Sequence, residues 1–225
     1  MVARLVSHAP RQRDLELVCV RHGRTAWNRA GRFQGQSDTP LDRLGRAQAR
    51  ALGARLASER FDVAISSNLK RALDTAKIIG AAVGVTISEE PRLREMRFGS
   101  WEGLTWSQIT ERTPRTMVEP PSALQPDARA APGGESFAEL CARVQPVLST
   151  LTARLPRNGR ALIVSHAAVM HAILWLLLEG SSESALEIVL APASILRLRC
   201  DGRTADVERD AAAPGSWTIE AVDGD

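Results

Sequence analysis

The sequence predicts an α/β fold, a three-layer sandwich in which a mostly parallel sheet is flanked by helices. Short apolar runs with the length and β-branched content of buried strands alternate with stretches that repeat apolar residues at helical spacing. A chain of 225 residues with 44% apolar content is also long enough to bury one full core. We therefore expect a single α/β domain over residues 15–225, preceded by a tail at residues 1–14.

Strands and helices follow one another along most of the chain. Strands are predicted at residues 15–20, 61–65, 85–87, 161–164 and 194–200, with an edge strand at 217–222. Helices are predicted over residues 41–57, 69–82, 138–155 and 167–178. Parallel sheets bind ligands outside the carboxyl ends of their strands, so polar residues that follow the apolar runs are expected to lie close together.

A proline-rich segment, residues 113–134, interrupts this alternation. It holds five prolines and no apolar period. Such a pattern predicts an ordered loop or lid, inserted before a helix and near the site. A flexible linker is the weaker interpretation, because the elements on either side belong to one sheet.

Composition and charge favour a small anionic substrate over nucleic acid or a membrane. The net charge of +3 comes from basic residues spread along the whole chain, and aromatic residues make up only 4%. Few side chains are thus available to stack on bases. The longest apolar stretch, residues 167–178, is too short to cross a bilayer and is interrupted by His171.

The expected location is the cytoplasm. Residues 1–14 contain no continuous hydrophobic region, so a secretory signal is not expected, whereas an organellar transit peptide stays open. The three cysteines, Cys19, Cys141 and Cys200, are scattered and lack the paired spacing of a metal site. That pattern is typical of buried thiols in a reducing compartment.

Two histidines end two of the predicted strands. Arg21 and His22 follow the first apolar run, and His166 follows the fourth. An imidazole with an ordinary pKa of about 6.5 is largely neutral at cellular pH, so it can attack phosphorus without an activating base. An adjacent arginine can hold the equatorial oxygens of a phosphoryl group. The pattern predicts a phosphate pocket with His22 as the nucleophile.

The residues around these histidines resemble the histidine phosphatase superfamily, which includes the cofactor-dependent phosphoglycerate mutases. The resemblance begins with RHGRTAWN at residues 21–28 and FQGQSDTPL at 33–41. It continues in the family's order with SSNLKRA at 66–72, LREMRFGSWEG at 93–103, GGES at 133–136 and VSH at 164–166. These segments span most of the chain from residue 15 to residue 178.

The resemblance implies a fold, a reaction and a set of site residues. His22 would form a phosphohistidine, and Glu95 would protonate the leaving alcohol and then help water remove the phosphoryl group. Arg21, Arg71 and His166 would bind the phosphate, with His166 also stabilising the transition state. Neither a metal nor another cofactor is implied.

Asn28, Gln34 and Gly35 flank the first motif and are candidates for substrate binding. For Asn28 and Gln34 a structural role in turns and caps is equally open. Glu135 and Ser136 are interpreted as a cap at the start of a helix.

Three further positions bear on these assignments. Glu102, like Glu89 and Glu90, competes with Glu95 for the role of the acid. His171 is interpreted as a core or interface histidine. Ala167 and Ala168 stand where the family commonly has glycines, which leaves less room for the backbone to approach a phosphate.

The function we expect is a metal-independent phosphomonoester hydrolase that acts on a small phosphorylated metabolite. One alternative is a cofactor-dependent phosphoglycerate mutase, although the segment EMRFGSWEG at residues 95–103 is more typical of the phosphatases. Another is a phospho-ligand binding protein that has lost catalysis. The sequence does not determine the oligomeric state, and a homodimer is one possibility. Arg112, Arg115 and Arg129 suggest a second anionic group on the substrate, whose identity the sequence does not determine.

Overall fold

A computed structural model describes residues 14–112, 127, 129, 131–178, 188–201 and 216–223. Its strands are β1 Leu15–Arg21, β2 Val63–Ser66, β3 Ser88–Glu89, β4 Arg160–Ser165, β5 Ile195–Asp201 and β6 Ser216–Asp223. They form one sheet in the order β3-β2-β4-β1-β5-β6. The first four of these are parallel, and β5 and β6 are added antiparallel at one side.

The helices of the described residues include two that the sequence pattern does not predict. They are α1 Ala26–Arg29, α2 Arg43–Leu56, α3 Lys70–Val83, α4 Trp106–Arg112, α5 Phe137–Arg154 and α6 Ala167–Leu177, with 3-10 turns at Pro91–Leu93 and Gly99–Trp101. The unpredicted pair, α1 and α4, are too short to carry a recognisable apolar period. The four longer helices confirm the predicted ones to within two residues at their starts and ends.

The sheet is buried on both faces. Along β1, Leu17 and Cys19 pack with α5 and α6, whereas Val18 and Val20 pack with α2 and α3. Side chains of successive strand residues point to opposite faces, so each face of β1 contributes to a separate core. The predicted three-layer sandwich is therefore confirmed.

The third strand begins three residues later than predicted. Gly84 ends α3 in the left-handed conformation, and the Val85 amide still donates to the carbonyl of Gly80 at 3.0 Å. Val85 and Ile87 pack against the α2–α3 core instead of pairing with a strand. Pairing with β2 starts only at Ser88. The apolar residues that predict the strand are thus core contacts of the turn before it.

Two predicted regions lie largely outside the described residues. They are the tail, of which only Asp14 is described, and the insert at 113–134, of which residues 127, 129 and 131–134 are described. Within the described part of the chain, no helix is both long and apolar enough to cross a membrane.

Burial raises the pKa of the Cys19 thiol to about 12 and that of Cys141 to about 11.

The sheet brings the ends of three parallel strands together. The amide of His22, just after β1, donates to the carbonyl of Ser165 at the end of β4 at 3.0 Å. The amide of Ser67, just after β2, donates to Val164 at 3.0 Å. His22, Ser67 and His166 consequently meet at one edge, as the parallel strands predict.

Candidate active site

A cavity of about 360 Å³ opens at this edge of the sheet. Four of the five principal predicted site residues line it, and the fifth, His166, lies beside it with its ring centroid 5.1 Å from that of His22. The lining consists of Arg21, His22, Asn28, Gly31, Arg32, Phe33, Gln34, Gly35, Arg71, Glu95, Phe98, Ala167, Ala168 and His171.

His22 is held as a neutral imidazole. Its side chain is buried, and its Nδ1 lies 2.8 Å from the carbonyl oxygen of Gly23, to which a protonated Nδ1 donates. That bond fixes the tautomer and leaves the lone pair on Nε2. Burial, reinforced by the positive charges of Arg71 and Arg21, holds the pKa of His22 well below 6.5. The ring can therefore act as a nucleophile over the neutral pH range.

His166 lies fully buried between the ends of β4 and α6. Its Nε2 is 2.8 Å from the hydroxyl oxygen of Ser67, which can donate its hydrogen to this nitrogen and leave the ring proton on Nδ1. Burial, followed by the positive charge of Arg71, holds the pKa of His166 well below 6.5. A neutral ring in this tautomer presents Nδ1 as a hydrogen-bond donor.

Arg71 reaches the site from the first turn of α3. It is fully buried, and it donates from Nη1 to the carbonyl of Ser37 at 2.8 Å and from Nη2 to that of Gly35 at 2.6 Å. Burial lowers the pKa of Arg71 to about 10, so the side chain remains cationic at neutral pH. Two carbonyls of one turn thus orient a fixed positive charge.

Arg21 is the last residue of β1. Its Nη1 donates to the carbonyl of Leu190, and its backbone amide donates to Ser194 at 3.0 Å. Burial lowers the pKa of Arg21, and the nearby carboxylate of Glu95 partly offsets this effect. The guanidinium is therefore held from behind by the segment that precedes β5.

Three buried donors of these side chains share an unusual feature. Among the described residues, Nε of Arg21, Nε of Arg71 and Nδ1 of His166 have no hydrogen-bond partner. Buried polar atoms are nearly always paired, so an unpaired set of this kind needs a physical reason. A tetrahedral oxyanion such as a phosphoryl group supplies several acceptor oxygens and fits a cationic donor set of this composition.

Glu95 brings a carboxylate to the same cavity. It lies in the loop between the two 3-10 turns and is only 7% exposed. Its Oε1 accepts a hydrogen bond from the amide of Met96 at 2.9 Å. The segment around it is fixed through its backbone, since the Glu95 carbonyl accepts from Arg143 at 3.0 Å. A carboxyl group thus lies close enough to Arg21 and Arg71 to interact with their charges, and it lines the same cavity as His22.

The three competing glutamates do not line the cavity. The Glu102 carboxylate instead accepts from the amides of Gln36 at 3.1 Å, Ser37 at 3.0 Å and Phe98 at 3.2 Å. It also accepts from the Ser37 hydroxyl at 2.7 Å. The structure thus places Glu95, and not Glu102, in the lining of the cavity.

The candidate substrate-binding residues around the first motif make structural hydrogen bonds or turns and also line the cavity. Asn28 forms a capping box with Thr25 at the start of α1, and it also lines the cavity. Gln34 accepts from the hydroxyls of Thr25 at 2.9 Å and Thr39 at 2.5 Å and lines the cavity as well. Gly35 has φ +52°, and a Cβ at this position would lie 2.1 Å from Oε1 of Glu102.

The interpretation of His171 as a core or interface residue is incomplete. The side chain is half-buried and lines the cavity, with Nε2 at 3.0 Å from the carbonyl of Ile188. His171 lies four residues after Ala167 on α6, so the two share a helix face. That spacing is the signal from which its position could have been found.

The arginines predicted to bind a second anion are not those that line the cavity. Arg129 forms an ion pair with Glu139 and is not part of the lining, nor is Arg112. Arg115 lies outside the described residues. Arg32 does line the cavity, and its Nη1 donates to the carbonyl of Gly103 at 2.5 Å.

The predicted cap at Glu135 and Ser136 is confirmed for Ser136 but not for Glu135. Ser136 is the N-cap of α5, and its capping-box partner is Glu139. Glu135 is nearly buried and pairs instead with Arg143, at 2.7 Å between Oε1 and Nε. The sequence does not predict this pair, because Arg143 is one of many arginines and belongs to no motif.

Within the ranges the structure describes, no group of three or more histidine, cysteine or acidic residues could hold a metal ion.

Known proteins share this fold and these segments. The sequence model of the histidine phosphatase superfamily, branch 1, matches residues 17–211. A metal-independent phosphoserine phosphatase of Arabidopsis thaliana is 38% identical over 186 residues, which are 82% of this chain and 76% of that protein. A probable phosphoglycerate mutase of Yersinia pestis is 33% identical over 211 residues, 92% of each chain.

Solved structures agree with the sequence comparison. A mycobacterial glucosyl-3-phosphoglycerate phosphatase in complex with VO3 superposes with a TM-score of 0.77 at 31% identity, covering 92% of this chain and 97% of that one. The structural resemblance therefore extends over most of both chains. Together, these matches show that the chain belongs to the histidine phosphatase superfamily, branch 1, and is a phosphatase of the histidine phosphatase type.

Proposed function

We propose that this protein hydrolyses phosphomonoesters of small metabolites through a phosphohistidine intermediate on His22. The observation that carries the proposal is a buried, neutral imidazole whose Nδ1 is tied to a backbone carbonyl, next to the buried Arg71 and the half-buried Arg21. Such a ring has its Nε2 lone pair available at neutral pH. The arginines supply the positive charge that a phosphoryl group requires.

The first step transfers the phosphoryl group to the enzyme. Nε2 of His22 attacks phosphorus while the bond from phosphorus to the leaving oxygen breaks in line, and its electron pair stays on that oxygen. The protonated Glu95 carboxyl donates its proton to the same oxygen, so the product leaves as a neutral alcohol.

The second step restores the enzyme. The Glu95 carboxylate accepts a proton from water as that water attacks phosphorus, and the bond from phosphorus to Nε2 breaks with its electrons returning to the imidazole. Inorganic phosphate is released, and Glu95 is again protonated. In both steps Arg21, Arg71 and His166 would bind the equatorial oxygens and offset the charge that develops on them.

The substrate we propose is a small phosphomonoester with a second anionic group. Phosphoserine and glucosyl-3-phosphoglycerate, the substrates in the names of two relatives, both carry a carboxylate beside the phosphate. Arg32 lines the cavity but is not one of the two phosphate-binding arginines. Its hydrogen-bond partners among the described residues include no carboxylate. We propose Arg32 for this contact in place of the arginines expected from the sequence. We also propose that the protein is located in the cytoplasm.

Trapping the intermediate tests the mechanism. Wild-type protein is mixed with p-nitrophenyl phosphate in the presence of EDTA, quenched under alkaline denaturing conditions and measured by intact mass. The wild type should gain one PO3 unit and release phosphate, whereas His22→Ala should do neither. His171→Ala serves as the matched control and should still be labelled. Turnover by His22→Ala at the wild-type rate would refute the nucleophile assignment.

A mutase is the second candidate, because one relative with 33% identity is named a probable phosphoglycerate mutase. The two candidates differ in the acceptor of the second phosphoryl transfer, which is water in a phosphatase and a phosphoglycerate in a mutase. A coupled assay with 3-phosphoglycerate and a 2,3-bisphosphoglycerate primer separates them. We expect phosphate release to exceed interconversion. Tight phosphate binding without labelling or turnover would instead indicate a protein that has lost catalysis.

A further inference from the structure

The strongest feature outside the phosphate-binding residues is the pairing of Glu135 with Arg143. The two side chains form a fork, with Nε 2.7 Å from Oε1 and Nη2 3.0 Å from Oε2. The Glu135 side chain is 7% exposed and that of Arg143 is 20% exposed. Two parallel hydrogen bonds in a largely buried pair fix the guanidinium plane as well as its charge.

This fixed guanidinium holds the backbone on which Glu95 lies. Arg143 donates from Nη1 to the carbonyl of Arg92 at 2.5 Å and from Nη2 to the carbonyl of Glu95 at 3.0 Å. On the other side of Glu95, Oε2 of Glu135 accepts from the amide of Arg97 at 3.2 Å. The Glu135 amide in turn donates to the Arg97 carbonyl at 2.8 Å. The pair therefore grips the segment both before and after Glu95.

The Glu95 carboxylate depends on this backbone for its position. Its hydrogen bond within the described residues comes from the amide of the next residue, Met96. No side chain among those residues donates to either carboxylate oxygen, so the backbone determines where the carboxyl group lies in the cavity. A shift of the segment would move the carboxyl group with it.

The rigidity of the pair comes from α5. Leu140, Val144 and Val147 anchor this helix in the core against the sheet. Glu135 precedes its N-cap and Arg143 lies about two turns into it. The core thus fixes the pair, and the pair fixes the segment.

We propose that the Glu135–Arg143 pair is a positioning device that places Glu95 for proton transfer to the leaving group. The inference rests on the proposed function, in which Glu95 is the general acid. It predicts an effect that a purely structural role would not produce. Disturbing the pair should slow phosphoryl transfer from substrates whose leaving oxygen needs a proton. Transfer from substrates whose leaving oxygen needs none should be slowed less.

The test compares kcat/KM for two substrates. The leaving oxygen of an alkyl phosphate must be protonated as it departs. The leaving group of p-nitrophenyl phosphate is the anion of an acidic phenol, which departs without a proton. This parameter reports the first phosphoryl transfer in the scheme, and therefore the step in which Glu95 acts as an acid. Arg143→Lys keeps the charge but cannot form the fork and reach both carbonyls. The matched control is Arg160→Lys, which disturbs ion pairs with Glu16 and Glu59 at the opposite end of β4.

Glu95→Gln should raise the aryl-to-alkyl ratio of kcat/KM by about 10²- to 10⁴-fold, the usual contribution of general acid catalysis. Arg143→Lys should raise it in the same direction by about tenfold. Arg160→Lys should leave the ratio unchanged. In the Glu95→Gln background, Arg143→Lys should have no further effect on the ratio, because residues that act as a unit are not additive.

Two results would overturn the inference, and they differ. If Glu95→Gln shifts the ratio but Arg143→Lys lowers kcat/KM equally for both substrates, the pair only stabilises the fold. If Glu95→Gln leaves the ratio unchanged, the acid assignment fails and the positioning role fails with it. Should Arg143→Lys not fold, Glu135→Gln provides the same comparison, since it keeps the side chain's size and one acceptor oxygen.

Discussion

Replacing Glu102 by glutamine should destabilise the protein without removing a catalytic group. The carboxylate accepts four hydrogen bonds, two on each oxygen, and three of them come from backbone amides. A glutamine amide has one acceptor oxygen, which can serve the amides of Gln36 and Phe98. Its NH2 group then faces the amide of Ser37, which loses its bond to the carboxylate and keeps only its second acceptor, the Gln34 carbonyl at 3.1 Å. The Ser37 hydroxyl can rotate to accept.

The magnitude follows from the loss of that one hydrogen bond to a charged group. A hydrogen bond to a charged group contributes about 1.5–3 kcal/mol. For a chain of this length each kcal/mol lowers Tm by about 2–4 °C, so a central loss of about 2 kcal/mol corresponds to about 4–8 °C. The same turn supplies the Gly35 and Ser37 carbonyls that orient Arg71, so inorganic phosphate should inhibit the variant more weakly.

Thermal unfolding and phosphate inhibition measure the two effects. The matched control is Glu111→Gln on α4, an exposed glutamate that accepts one bond from the Ser107 hydroxyl at 3.0 Å. A change of less than about 0.5 kcal/mol is expected there. If Glu102→Gln melted within about 1 °C of the wild type, the hydrogen-bond argument for the turn would be refuted.

Three more outcomes are expected. Gly35→Ala should lose stability and phosphate affinity, because its φ of +52° is strained for alanine and the new Cβ would meet the Glu102 carboxylate; unchanged melting and inhibition would contradict this. Because the folded protein holds the pKa of His22 well below 6.5, the unfolded chain binds more protons below that pH. The free energy of unfolding should therefore fall between about pH 6.5 and 5, by at most about 1.4 kcal/mol per pH unit for this group, and less steeply in His22→Asn. Denaturant titrations measure this slope. Finally, phosphate release should persist after dialysis against EDTA, and an activity that is lost and then restored by a divalent cation would contradict the metal-independent scheme.

The sequence by itself determined the layered α/β fold and the meeting of the two histidines. These features rest on local patterns, because an apolar run specifies a buried strand and parallel strands place their carboxyl ends at one edge. His22 and His166 lie there as predicted. The family resemblance added Arg71 and Glu95, which the cavity brings together with His22.

Only the tertiary structure decided which residues hold these groups in place. Glu102 reaches the turn at Gln36 across 66 residues of sequence, and Arg143 reaches the Glu95 carbonyl across 48. The start of β3 likewise depends on how Val85 and Ile87 pack against α3. A charged or apolar side chain looks the same in the sequence wherever it points. Its partners are fixed by the packing of distant segments, which no local period or motif encodes.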